Sequence, residues 1–393
     1  MAADYAAALD HLAAGRPQAA RALLESIVQA QPDFAGAWLD LALASQQSGD
    51  SIAALEHLAY LRHRFTLSPP LRQLVKEWQI AWQRPADAAP ASGSWQGEIN
   101  LDWGYSNNLN GGLAHDQIDL SLPGGGLVSL PLAPTTRPQG AAYQQFEVYA
   151  ARRWQIGAAR LYPVLRLRAR TPNDLPTARQ LGLHAGAIYQ SAPDDQGRRW
   201  QSSFLWQHER LAGQALFISQ RLALQRLSES GPCRLAWGGE AERRHTPGLP
   251  LDGRLFWLDL GLSCPLGAPE RAVTRLAASL RAGQEYARSD ERPGGDSRHY
   301  EFTLHLEHAL PGARRFEALW QHGRSHDAEG YSPLLANNAR RQQRRDQLLF
   351  TLRQPLSGGW HARLQLNVQR QRSNLPLFEQ RARQISLGIG KAF

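Results

Sequence analysis

From Trp95 to the C-terminus, one pattern recurs about fourteen times: apolar residues at every second position, with polar or charged residues between them. Trp95, Gly97, Ile99, Leu101, Trp103 and Tyr105 share one parity, and Gln96, Glu98, Asn100, Asp102 and Gly104 share the other. Phe302, Leu304 and Leu306 alternate with Glu301, Thr303, His305 and Glu307 in the same way, as do Leu364, Leu366 and Val368 with Arg363, Gln365, Asn367 and Gln369. Successive side chains of a strand point to opposite faces, so each segment has one greasy face and one wet face. The expected strands are 95–105, 143–154, 158–170, 178–190, 199–209, 215–228, 233–245, 254–265, 272–287, 298–310, 313–325, 342–354, 359–372 and 381–393. Each is long enough to cross a membrane at a tilt, for which about 9–11 residues suffice.

A half-buried strand of a soluble sandwich has the same alternation, so the connections must discriminate. The even-numbered ones include QIG (155–157), SGPC (230–233), PLGAPE (265–270), LPGA (310–313) and PLSGG (355–359); the odd ones include the long segments 106–142 and 326–341. Short turns at one end and longer loops at the other fit a transmembrane antiparallel barrel of about 14 strands. Trp95, Trp154, Trp200 and Trp360 fall near the short-turn ends, where an interfacial aromatic girdle belongs. In the last strand Ile385, Leu387 and Ile389 alternate with Ser386, Gly388 and Gly390, and Phe393 ends the chain. A terminal aromatic of this kind resembles the signal read by the barrel assembly machinery, although Lys391 stands where an apolar residue is expected.

If the apolar parity faces lipid, the lumen receives Arg166, Arg168, Arg170, Arg221, Arg275, Arg281, Arg353 and Arg363, opposed by Glu98, Asp102, Glu147, Asp259, Glu301 and Glu307. Such a lining suits a polar channel for an anionic or amphipathic cargo. Equally, the charges pair across the lumen and hold its shape, since buried charges need partners. Cys233 opens the seventh expected strand and Cys264 closes the eighth, so they face each other in one hairpin. An oxidising compartment would permit a bridge, and two unrelated small residues would look the same.

The first third is different. Residues 3 to about 85 are rich in Ala and Leu at helical spacing, and a shift of 34 places Gly15 on Gly49, Ala19 on Ala53, Ala20 on Ala54 and Leu24 on Leu58. This is the period of the tetratricopeptide repeat, in which small residues let antiparallel helices pack closely and a Pro such as Pro32 closes the second helix. About two repeats and a further helix near Leu71 to Trp82 fill the span; a plain helical bundle is the alternative. The expected organisation is thus an α + β two-domain chain: helical repeats over 1–84, a Pro/Ala/Ser/Gly linker over 85–94, and a barrel over 95–393.

A formal charge of +9 carried almost wholly by Arg invites a nucleic-acid reading, but the arginines are dispersed through alternating segments, so no nucleic-acid partner is expected. No run approaches the roughly 20 apolar residues of a spanning helix. The start MAADYAAALD lacks a charged n-region, apolar core and cleavage site, which is uninformative because Met1, the only Met, suits an initiator placed before a processed or truncated segment. His305 and His308 lie on opposite strand faces and cannot share a metal, and no Ser/His/Asp set or phosphate-binding Gly loop stands in a supporting context. No catalytic activity, metal or cofactor is expected. Gly124, Gly125 and Gly126 lie in LPGGGLVSLPL, which reads as a mobile or lumen-plugging segment of the first loop.

The whole chain resembles the surface lipoprotein assembly modulators (Slam), through the 34-residue repeat around Gly15 and Gly49, GYSNNLN (Gly104 to Asn110), GYSPLLANNARR (Gly330 to Arg341) and Phe393. The resemblance implies a Gram-negative outer-membrane location, periplasmic repeats that capture a client, a monomeric barrel inserted by the assembly machinery, and export of surface lipoproteins or related secreted proteins. Two rivals remain: an export porin for an exopolysaccharide, and a barrel enzyme acting on outer-membrane lipid. Ser, His and acid residues clustered at one rim would favour the enzyme.

Overall fold

The computed structural model describes residues 2–48, 50–65, 67, 69–82, 95–122, 124–267 and 274–393; the expected linker over 85–94 and Gly49 lie outside the described residues. Fourteen strands form the wall of a closed antiparallel barrel. They are β1 (Trp95–Ser106), β2 (Ala141–Arg152), β3 (Ala159–Pro172), β4 (Gln180–Gln190), β5 (Arg199–Leu211), β6 (Gln214–Ser230) and β7 (Cys233–His245). β8 (Gly253–Leu266), β9 (Thr274–Ala287), β10 (Ser297–Leu310), β11 (Arg314–Gly330), β12 (Arg340–Pro355), β13 (Trp360–Ser373) and β14 (Gln380–Ala392) complete it. Trp154–Ile156 continues the path of β2 and pairs with the start of β3. Closure is made by β1, which pairs with β2 on one side and with β14 on the other, from Glu98 opposite Ala392 to Ser106 opposite Gln384. Phe393 extends this seam: its backbone N–H donates to the Gly97 carbonyl (3.0 Å), and the Gly97 N–H donates back (2.9 Å).

Burial along these strands is inverted relative to a water-soluble protein. Ile99, Trp103 and Tyr105 are exposed on β1, whereas Asn100, Asp102 and Ser106 on the opposite parity are at most 3% exposed. Leu364 and Leu366 of β13, and Ile385, Leu387 and Ile389 of β14, are likewise exposed beside buried Arg363 and Ser386. A surface of that kind is stable only against hydrocarbon, and a ring of strands with no free edge is one of the two ways a chain crosses a bilayer with its backbone satisfied. Trp95, Trp154, Trp200 and Trp360 are all exposed.

The connections sort by end less cleanly than expected. Ala212 and Gly213 alone join β5 to β6 on the long-loop side, with positive φ at both, and residues 191–198 make a longer turn on the other side. The expected loop 326–341 shrinks to 331–339, because β11 runs on to Gly330. The first loop holds a two-stranded hairpin, Gln117–Ser121 with Leu127–Pro131. Gly124 and Gly125, at φ 94° and 89°, make its turn. Residues 124–131 are all exposed, so the glycine-rich segment does not fill the lumen.

The helical segment comprises α1 (Ala2–Ala13), α2 (Pro17–Ala30), α3 (Ala35–Gln47), α4 (Ser51–Arg64) and α5 (Pro69–Trp82). Pro17 begins α2 where a missing N–H costs nothing. The Asp50 carboxylate caps α4 by accepting from the Ala53 N–H at 3.1 Å. Ala20, Leu24, Ile27 and Val28 form the buried stripe of α2. Ala20 and Ala54, and Leu24 and Leu58, each pair one repeat apart, are all fully buried, so these positions make the close helix contacts. Gly15 has a different duty: at φ 68° it turns the chain out of α1, and open space lies where a Cβ would project.

Tyr5 of α1 donates from its hydroxyl to Asp40 of α3 at 2.5 Å, and its ring packs at a tilt against Phe34 with centroids 4.8 Å apart. Burial, then the hydrogen bond and charge of Asp40, push its phenol up to about 12. Because the folded state holds the proton more tightly than the unfolded one, this contribution is complete below the ordinary value of 10.0 and is lost as the pH rises through about 12. Thermal melts followed at 222 nm should therefore fall more steeply in wild type than in Tyr5→Phe across that window; superimposable pH profiles would contradict the assignment.

Candidate lumenal site

The wet parity of every strand converges on the lumen, and most of its charges are paired. Asp102 on β1 receives Arg363 from β13 in a two-pronged bond, Nε to Oδ1 at 3.1 Å and Nη2 to Oδ2 at 2.5 Å. β14 lies between the two, and the pair reaches across it because Gly388 has no side chain: a Cβ there would stand 2.0 Å from Asp102 Oδ1. Glu98 bonds Arg353 of β12 at 2.7 Å and lies 3.4 Å from His361, while Asn100 donates to Glu98 at 2.5 Å. On β2 to β5, the strands that follow β1 on its other side, Arg166 meets Glu147 (2.9 Å), and Glu209 takes both His184 (2.8 Å) and Arg168 (3.7 Å). Arg221 meets Glu242 at 3.3 Å. Arg281 meets Asp259 at 2.5 Å and Glu240 at 3.2 Å, with its guanidinium 4.5 Å from the Trp257 ring centroid.

Four of the lumenal residues named from sequence differ from this pattern. Arg170 bonds the Gln145 amide and lies 4.7 Å from the Tyr143 ring centroid. Arg275 shares the inward parity of Arg281 but is exposed. Glu301 lines a groove with Arg281, and Glu307 is exposed 3.7 Å from His305. Sequence reasoning missed Trp257, whose parity with Asp259 turns an aromatic ring inward, and Gln347 of β12, which lines the lumen wall beside the expected wet-face amides Gln365 and Asn367 of β13. Their place on the wet parity was the available signal.

These groups enclose a cavity of about 740 Å³ lined by Arg166, Arg168, Arg170, Arg345, Arg353 and Arg363, many Gln and Asn amides, and the carboxylates Glu147 and Glu317. Residues 108–111 of the first loop form part of its wall. Asn108 fixes them by donating to the carbonyls of Gly112 (2.8 Å) and Arg381 (2.9 Å), and Asn110 by donating to those of Thr135 (3.0 Å) and Arg137 (2.8 Å). The first loop is tied to residues 331–339: the Ser121 N–H donates to the Leu334 carbonyl (2.9 Å), and the Asn337 N–H to Ser121 Oγ (3.1 Å). Ala336, Asn337 and Asn338 all adopt positive φ, a left-handed turn that Asn tolerates and Ala does not favour. The cavity is thus a polar chamber beneath two interlocked loops.

At the long-loop rim, Ser297, His299 and Glu285 do gather. His299 Nε2 lies 2.8 Å from Ser297 Oγ and 3.1 Å from Glu285, and the Ser297 hydroxyl donates to the same Glu285 oxygen at 3.2 Å. One imidazole nitrogen serves both partners, whereas a nucleophile relay needs the serine on one ring nitrogen and the acid on the other. Arg292 also holds Glu285 at 2.8 Å, so the cluster reads as a buried strut.

The tetratricopeptide repeat family matches residues 11–76. The first helices are thus similar to tetratricopeptide repeats. Similar solved structures include OccAB4 of Acinetobacter baumannii, 10% identical, covering 77% of this chain and 99% of that one at a TM-score of 0.40. An anion-selective porin from Comamonas acidovorans is 11% identical, covering 76% of this chain and 99% of that one at 0.38. In-vitro folded OmpT, an outer membrane protein of Vibrio cholerae, is 6% identical, covering 78% of this chain and 99% of that one at 0.37. No curated protein is significantly similar in sequence.

Cys233 and Cys264 form a disulfide across β7 and β8 with Cα atoms 4.2 Å apart, on the outward parity. Mass measurement after alkylation should find no modified thiol until a reductant is added, then two; two thiols alkylated without reductant would contradict the bridge. Replacing Asp102 by Asn should cost about 3–5 kcal/mol by stranding Arg363, seen as a lower unfolding temperature in detergent. Pairing it with Arg363→Met should recover much of the loss, and a neutral Asp102→Asn would remove the pair from the account of barrel stability.

Proposed function

We propose that this protein is an outer-membrane translocon of the kind formed by the surface lipoprotein assembly modulators, exporting surface lipoproteins or related secreted proteins. The reading is carried by one observation: a single chain joins a tetratricopeptide-repeat segment to a closed barrel whose chamber is lined by guanidinium and amide groups. Repeat arrays present surfaces that bind peptides or partner proteins. In this scheme the repeats stand in the periplasm and hold the client, and the barrel gives it a polar path. Guanidinium and amide groups bond peptide carbonyls and carboxylates without demanding one sequence. The interlocked segments 107–140 and 331–339 are the outer closure that must part. The barrel acts as a monomer, and Phe393, at the seam where β14 meets β1, is the contact offered to the assembly machinery.

A polysaccharide export porin is favoured by one feature, the amide-rich wall, since Gln and Asn bond sugar hydroxyls well; the arginines speak against a cationic polymer. A lipid-modifying enzyme loses support because the rim cluster around Ser297 faces inward and is not arranged as a relay.

Deletion of residues 1–88 should abolish surface display of the client while the barrel still inserts and migrates as a folded, heat-modifiable species. Unchanged display would refute this division of labour, and accumulation of polysaccharide in the periplasm of a null strain would favour the porin reading.

A further inference from the structure

The outward wall of the barrel has a charge pattern that lumenal transport does not use. On the outward parity of the fourteen strands, Asp346 is the only carboxylate among the described residues. Exposed arginines on that parity ring the long-loop rim, Arg210, Arg243, Arg254 and Arg298 among them. They are densest on β11 to β14, with Arg324, Arg340, Arg344, Arg370, Arg372, Arg381 and Arg383, of which Arg370 and Arg381 also border the lumenal cavity. The register sets Arg344 opposite Arg372 and Arg370 opposite Arg381. Like charges placed directly opposite destabilise a sheet. Asp346 pairs with only one member of the cluster, Arg344 at 3.4 Å, and is shared with His322 at 2.7 Å. Arg370, Arg372, Arg381 and Arg383 make no ion pair among the described residues.

Position along the strand gives the cluster its meaning. Arg370 follows Leu364, Leu366 and Val368 on the same outward row, and Arg383 precedes Ile385, Leu387 and Ile389. The guanidinium groups therefore stand where the apolar band ends. At the opposite end the outward row carries Trp95, Trp154, Trp200 and Trp360, and the cations there lie singly against the rings, Arg152 on Trp154, Arg226 on Trp200 and Lys391 on Trp360. An Arg fork matches phosphate oxygens two at a time, and several forks sharing phosphates turn mutual repulsion into attraction.

We propose that this face binds the phosphate groups of a phosphorylated lipid in the leaflet on the long-loop side. The proposal rests on the transmembrane reading above. The lipid then acts as an anionic collar around β11 to β14, beside the 331–339 loop, and holds the outer closure in place.

The test uses full-length protein in detergent micelles and native mass spectrometry with bisphosphorylated lipid A, dephosphorylated lipid A and inorganic phosphate as probes. Wild type should retain the bisphosphorylated lipid in preference to the dephosphorylated one. Each arginine removed should weaken retention by about fivefold, so Arg370→Gln with Arg381→Gln should lose about 25-fold. Arg344→Gln with Arg372→Gln should lose a similar amount, and Arg314→Gln, at the short-turn end, nothing. Millimolar inorganic phosphate should not displace the lipid. Retention as strong as wild type in both double variants, indifference to the lipid's phosphates, or displacement by free phosphate would overturn the proposal. Insertion of wild type into phosphatidylcholine vesicles separates the two levels: a protein that inserts yet ignores lipid phosphate refutes this inference alone, and one that fails to insert refutes the transmembrane reading with it.

Discussion

In hydrocarbon no backbone N–H or C=O can be left without a partner, and every other feature of the barrel follows from meeting that demand. The wall meets it by closing on itself at β1, which carries hydrogen-bonded neighbours on both sides and is extended by the two bonds between Gly97 and Phe393. Closure removes the free edge. It also fixes which parity is inside, because a slip of one residue at any seam would drive Asp102, Glu98 and their neighbours into lipid.

Once the parity is fixed, the interior has to satisfy its own charges. Asp102 and Arg363 are almost fully buried, and each would be costly alone. The solution uses small residues on the intervening strand: Gly388 and Gly390 leave the space through which Asp102 and Asn100 reach β13. The paired charges hold the wall, and the amides and remaining guanidinium groups around the cavity give it a surface that bonds extended polar chains without fixing on one.

The strands were legible in the sequence because lipid and water impose the sharpest contrast a side chain can meet. The expected 233–245 matches β7, and 359–372 differs from β13 by one residue at each end. Where the contrast fades, legibility fades too. β11 runs past the expected end at 325, since HDAEG carries no apolar alternation and is held by inward contacts such as Asp327 with Arg341. The first-loop hairpin was hidden behind three glycines that read as mobility. The lumenal partners were not readable at all: Asp102 finds Arg363 two strands away, a relation set by register and barrel closure, which local pattern does not encode. In the helical segment the 34-residue repeat pointed to Ala20, Ala54, Leu24 and Leu58, but it could not separate their packing role from the turn made by Gly15.

The central claim is that one parity of the wall touches acyl chains and the other does not. Nitroxide labels placed singly along 364–369 of β13, in a Cys233→Ser, Cys264→Ser background reconstituted in bilayers, measure this through collision with oxygen and with a water-soluble nickel chelate. The account predicts a strict two-residue alternation, with oxygen favoured at 364, 366 and 368 and the chelate at 365, 367 and 369. Uniform access to the chelate along the segment, or oxygen preference at the odd positions, would contradict it.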